Sequence, residues 1–153
     1  MMMIARSMDY ADVLDTVKGR NPVIWTCGTC AKLCNGIGGI DAAERLADKL
    51  RNDGVNVLSC VSVSAACLMH KVRSKGEELH KDADMIISLM CDIGVTCISR
   101  AFGKDVLDPL ITLGYGFMDD DGSPMIMSCN DAHAPLTLRE AAEKKGMSTD
   151  PLV

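Results

Sequence analysis

At 153 residues the chain is long enough to bury one hydrophobic core and short for more than one domain. A net charge of −5, with no Lys/Arg stripe interleaved with aromatics, argues against nucleic acid as a partner. The apolar runs are too short to span a bilayer, and Met1-Met2-Met3-Ile4-Ala5-Arg6 lacks the pattern of a secretory signal, so a cytoplasmic protein is expected. Eight cysteines in such a chain point away from a disulfide framework and toward reduced thiols used for metal binding or redox work. With aromatics at 3% and eleven methionines, Met and aliphatic side chains must fill most of the core.

Residues 1–21 are expected to supply an N-terminal helix, with Val13, Leu14 and Val17 on one face and Gly19 ending it. Pro22-Val23-Ile24-Trp25-Thr26 reads as an apolar strand that runs into Cys27. After the glycine-rich bend Gly36-Ile37-Gly38-Gly39, the spacing of Ile40, Ala43, Leu46, Ala47 and Leu50 predicts an amphipathic helix stopped at Asn52-Asp53-Gly54. Val55 to Val63 reads as a second strand, Cys67 to Leu79 as a second helix, and Met85 to Met90 as a third strand ending at Cys91. Gly94 to Phe102 reads as a third helix. Alternating strands and helices predict a single α/β domain over residues 1–153, three-layer α/β/α, with a mostly parallel central sheet.

Beyond Lys104 the pattern is weaker. Leu107 to Leu113 reads as a strand or a broken helical turn, because Pro109 restricts the residue before it. Asp119-Asp120-Asp121-Gly122 reads as a solvated turn without the ligand spacing of a calcium loop. Pro124 to Ser128 is a candidate strand ending at Cys129, Thr137 and Glu140 form a capping box for a last helix, and residues 147–153 read as a loose tail.

This topology sets the expected site. Cys27, Cys67, Cys91 and Cys129 fall at or just beyond the carboxyl ends of strands, the edge where open α/β sheets bind their ligands, and Cys30 and Cys34 extend the first of those loops. Cys60, inside a strand, and Cys97, inside a helix, read as small buried hydrophobes. Three chemistries suit Cys27, Cys30 and Cys34 joined by Cys67 or Cys91. The first is an iron–sulfur cluster on four thiolates, the second a tetrahedral zinc, and the third a dithiol centred on Cys27-Gly28-Thr29-Cys30. Gly36, Gly38 and Gly39 are candidates to bring backbone N–H groups up to a cofactor, although the full dinucleotide fingerprint is absent. His70 lies three residues beyond Cys67 on the expected helix, a spacing that permits a shared face, but reads most simply as a surface or core histidine. His80 and His133 have no partner in the sequence pattern, and no catalytic carboxylate pair, Ser/His/Asp set or Walker loop is visible.

Cys27-Gly28-Thr29-Cys30-x3-Cys34, the Gly38-Gly39 bend, Ala66-Cys67 and Ser88-Leu89-Met90-Cys91-x2-Gly94-Val95 together resemble the methylenetetrahydrofolate reductase C-terminal-domain family. That family includes the cysteine-rich small subunit of the reductase of acetogenic anaerobes. The resemblance covers Pro22 to Gly116 and implies one [4Fe-4S] cluster, or zinc, held by Cys27, Cys30, Cys34, Cys67 and Cys91 as the matched positions. It implies a non-catalytic electron-transfer subunit, with a partner enzyme of one-carbon metabolism such as a flavin-dependent folate reductase or a methyltransferase. Longer members continue into a further cysteine-rich segment, whereas only Cys129 follows Cys97 here, which implies a single site.

Overall fold

The computed structural model describes residues 1–128 and 131–153, with side chains described to residue 127 and from residue 135. The chain builds a mixed α/β structure with two four-stranded sheets, one parallel and one antiparallel.

The parallel sheet holds β2 (Pro22–Cys27), β3 (Cys60–Val63), β4 (Met85–Leu89) and β5 (Asp105–Leu107), in the order β3-β2-β4-β5. Every residue of β2 and β4 is buried, as expected for central strands of a parallel sheet whose runs are apolar throughout. The crossovers are α3 (Ile40–Asn52), α4 (Met69–Ser74) with a 3-10 turn at Gly76–Glu78, and α5 (Asp92–Phe102). In α3 the expected stripe is buried at Ala43, Leu46, Ala47 and Leu50, while Ile40 at its first turn stays exposed. Phe102 at the end of α5 meets the Trp25 ring of β2 edge-on, with centroids 5.0 Å apart.

Three elements differ from the sequence expectation. The second strand forms only over its last four residues, since Val55 and Val57 are buried in an irregular run bonded back to the end of α3. The second helix is short because Gly76 interrupts it. The N-terminal region 1–21 holds β1 (Met2–Arg6) before a helix, α1, limited to Tyr10–Val17.

β1 belongs to the antiparallel sheet, which the sequence reading did not anticipate. Its order is β1-β6-β7-β8, with β6 (Leu110–Met118), β7 (Pro124–Ser128) and β8 (Asp131–Thr137). Asp108-Pro109 separates β5 from β6 and marks where the chain leaves one sheet for the other. The acidic turn at Asp119–Gly122 joins β6 to β7 as a hairpin, with Gly122 at φ +81°. Thr137 and Glu140 close the expected capping box at the start of α6 (Leu138–Lys144). Residues 147–153 are docked rather than loose: the Arg6 N–H donates to the Ser148 carbonyl at 2.7 Å, and Thr149 and Leu152 are buried.

The glycine bend after α2 (Cys30–Leu33) packs against the carboxyl edge of the parallel sheet. A Cβ on Gly38 would stand 2.5 Å from the Ala31 Cβ and 2.8 Å from the Leu89 carbonyl oxygen, so only glycine fits. Gly38→Ala is expected to cost about 1–3 kcal/mol by overpacking, read from the urea midpoint at unchanged m-value.

Candidate metal centre

The strand order creates a specific crevice. From β2 the chain leads through α3 to β3 on one side, and from β4 it leads through α5 to β5 on the other. The connections therefore diverge between the carboxyl ends of adjacent strands β2 and β4, the topological switch point where open α/β sheets bind ligands. Cys27 is the last residue of β2, and Cys91 lies two residues beyond the end of β4, directly before α5. The two cysteines flank that crevice.

Cys30 and Cys34 arrive from the short helix α2 that follows β2. Cys34 is fully buried against β1, where its thiol donates to the Met2 carbonyl at 3.5 Å. Burial pushes this thiol up to about 11, against the favourable Ile4 N–H beside the sulfur, and negative charge on Cys30 or Cys91 pushes it further. The Cys91 thiol is also raised, first by burial. The N–H groups of Gly94 and Ile93 lie beside its sulfur and favour the thiolate, without closing a capping hydrogen bond. Cys30 and Cys27 act on Cys91 as like charges. Cys91 is thus coupled to Cys27, Cys30 and Cys34, and Cys30 to Cys34, which links thiols from both sides of the switch point, with Cys34 set against β1 of the antiparallel sheet.

Cys67 stands outside this set. It is exposed on the loop after β3, at the expected edge but turned to solvent. Cys60 is half-buried, its thiol donating to the Ala43 carbonyl at 3.6 Å and pushed up to about 11 by burial, in keeping with a packing role. Cys129 lies outside the described residues. His70 is exposed on α4, and His80 accepts from the Asp82 N–H at 3.2 Å in its own turn.

The glycines do not offer free N–H groups to a cofactor. Gly36 donates to the Lys32 carbonyl at 3.0 Å, Gly38 to the Ala31 carbonyl at 2.9 Å and Gly39 to the Thr26 hydroxyl at 2.7 Å. Their role is to fold the bend tightly, with Gly36 and Gly39 at positive φ. The N–H groups beside the thiols come instead from Ile4, Ile93 and Gly94, positions not visible as donors in the sequence pattern.

The coupled thiols do not close on a single point. Among the described residues, no three His, Cys, Asp or Glu side chains are grouped tightly enough to hold one ion as placed. A zinc site draws its sulfurs to about 2.3 Å of one atom, whereas a cluster gives each thiolate its own iron.

Asp108, just beyond β5, was not singled out by the sequence pattern. Burial pushes its carboxyl up to about 7, against the Leu110 N–H it accepts at 3.3 Å, and the Asp92 carboxylate adds to the rise. Asp92 itself is tied to β6, its N–H donating to the Thr112 hydroxyl at 3.0 Å and its carboxylate accepting the Thr112 N–H at 3.2 Å. A carboxyl raised in the fold contributes stability that is complete below its unfolded pKa, about 3.9, and is lost as pH climbs through about 7. Asp108→Asn keeps an acceptor for Leu110 and cannot ionise. The variant is expected to match the wild type at about pH 4 and exceed its stability at about pH 8, read as a widening gap between urea midpoints.

Among the described residues, no helix is long and apolar enough to cross a membrane. No protein-family model matches the chain, and comparison with curated proteins and with solved structures finds no match.

Proposed function

We propose that the chain holds one iron–sulfur cluster on Cys27, Cys30, Cys34 and Cys91 and passes electrons to or from a partner enzyme. The observation that carries this reading is the coupling of four thiols at the switch point of the parallel sheet, with backbone N–H groups of Ile4, Ile93 and Gly94 beside two of the sulfurs. The donor chemistry fits the cluster. All four ligands are thiols, free of disulfide bonds, and neighbouring N–H groups stabilise the charge that thiolates carry. As placed, the sulfurs are not gathered on one point, so a single zinc ion would require the loop sulfurs to move.

When bound, the cluster supplies one-electron redox chemistry. The chain's own residues orient the ligands and limit water: Cys27, Cys34 and Cys91 are buried, and Cys30 is the half-exposed member on the solvent side. That asymmetry supports an exchange face at α2. The motif resemblance to the methylenetetrahydrofolate reductase C-terminal-domain family supports a partner from one-carbon metabolism, such as a flavin-dependent folate reductase or a methyltransferase. It also supports a subunit with no reaction of its own.

Iron and acid-labile sulfide analysis of anaerobically purified protein tests the reading. Iron and sulfide in equal amounts, with a brown chromophore bleached by air, is the expected result. Stoichiometric zinc without sulfide would instead favour a structural module, and a metal-free protein with a reducible Cys27–Cys30 pair would favour thiol–disulfide chemistry.

A further inference from the structure

Cys67 and Cys97 are the described thiols that neither the proposed centre nor the packing of Cys60 accounts for. The structure brings them together from distant parts of the chain. The Cys97 thiol, in the second turn of α5, lies 3.8 Å from the carbonyl oxygen of Cys67. A second contact shows that the two backbones meet closely: a Cβ on Gly94 would stand 3.1 Å from the Ala66 Cβ. Cys67 is exposed and Cys97 half-buried behind it. The Cys97 sulfur thus lies against the backbone of Cys67, on a segment that packs closely against α5.

We propose that Cys67 and Cys97 form a reversible redox pair, with Cys67 as the attacking thiol and Cys97 as the resolving thiol. The oxidant class is a small-molecule disulfide. The Cys67 thiolate attacks one of its sulfurs, a mixed disulfide forms and one thiolate leaves. The Cys97 thiolate then attacks the Cys67 sulfur, the protein disulfide closes and the second thiolate leaves. Each departing thiolate takes up a proton equivalent to the one its protein thiol released. Two protein thiols are oxidised and one small disulfide is reduced to two thiols. The new bond ties the β3–α4 loop to α5, the helix that begins directly after Cys91, without consuming any of the four coupled thiols. Oxidation therefore clamps one wall of the crevice, and a reducing thiol releases it.

The proposal does not rest on the cluster reading, and the two are read by different measurements. Intact full-length protein, as isolated and after metal removal, is titrated anaerobically with glutathione disulfide and digested for disulfide mapping. The expected product in both samples is a Cys67–Cys97 crosslink. Cys97→Ser should instead accumulate a glutathione adduct on Cys67, and Cys67→Ser should leave Cys97 unmodified, with circular dichroism confirming that both variants fold. Three results would each overturn the proposal. One is a crosslink of Cys67 to Cys27 or Cys30, another is a Cys97→Ser variant without an adduct on Cys67, and the last is a Cys67 that reacts only after metal removal. The last would return Cys67 to the ligand set.

Discussion

Cys91→Ser is expected to abolish metal retention in anaerobically purified protein, whereas Cys67→Ser retains it. The contrast separates the coupled thiol set from the five positions suggested by the sequence motifs. Cys91 closes the far side of the crevice. It is the one member of the set that comes from β4 rather than from the β2 loop, and its sulfur lies beside the Gly94 and Ile93 N–H groups. A serine hydroxyl there is a hard, neutral donor where the proposed centre needs a soft thiolate. The loss should exceed the roughly 10–100-fold that removing an outer partner of a ligand typically costs. Iron content per chain is the measurement, with far-UV circular dichroism to show that the variant folds. Equal metal loss in Cys67→Ser and Cys91→Ser would restore Cys67 to the site.

Thr26→Val is expected to destabilise the fold by about 2–4 kcal/mol and to loosen the glycine bend. Thr26 is fully buried in β2, and its hydroxyl links three segments: it donates to the Leu89 carbonyl at 2.9 Å and accepts the Gly39 N–H at 2.7 Å. Valine has nearly the same shape and neither bond. A carbonyl at the end of β4 and an N–H at the start of α3 would be left unpartnered in the interior. Chemical denaturation reads the stability. Thr26→Ser, which keeps the hydroxyl, should recover most of the loss, whereas equal loss in both variants would assign the effect to the missing methyl group. Because the same bond sets the bend behind Cys27 to Cys34, the valine variant should also lose metal faster to a chelator.

The parallel half of the fold was legible because its signals are local. Residues 22–27 and 85–89 are short apolar runs, α3 carries a strong amphipathic period, and the loops between them are marked by glycine or polar residues. Placing Cys27, Cys67 and Cys91 at one sheet edge followed from that pattern, and the structure agrees on the edge. The antiparallel half was less visible. β1 is Met2-Met3-Ile4-Ala5-Arg6, a short run without alternation, and its residues Met3, Ile4 and Ala5 are all buried. β6 carries Gly114 and Gly116, which weaken a strand reading, yet Gly116 is required because a Cβ there would collide with the Met125 carbonyl of β7. Within the site, the sequence pattern could not separate Cys67 from Cys91. Both follow strands, and only the loop's path decides that one thiol faces the crevice and the other faces solvent. The roles of the glycine N–H groups were equally hidden, since their acceptors, Thr26, Ala31 and Lys32, are ordinary residues until the bend folds.

The proposed centre is one polynuclear cluster ligated by four thiolates at the switch point. X-ray absorption at the metal edge of the anaerobically purified protein tests it most directly. The expected result is an iron edge with an all-sulfur first shell and a second shell of iron–iron scattering. A zinc edge with no metal–metal scattering, or a first shell of nitrogen and oxygen, would contradict it.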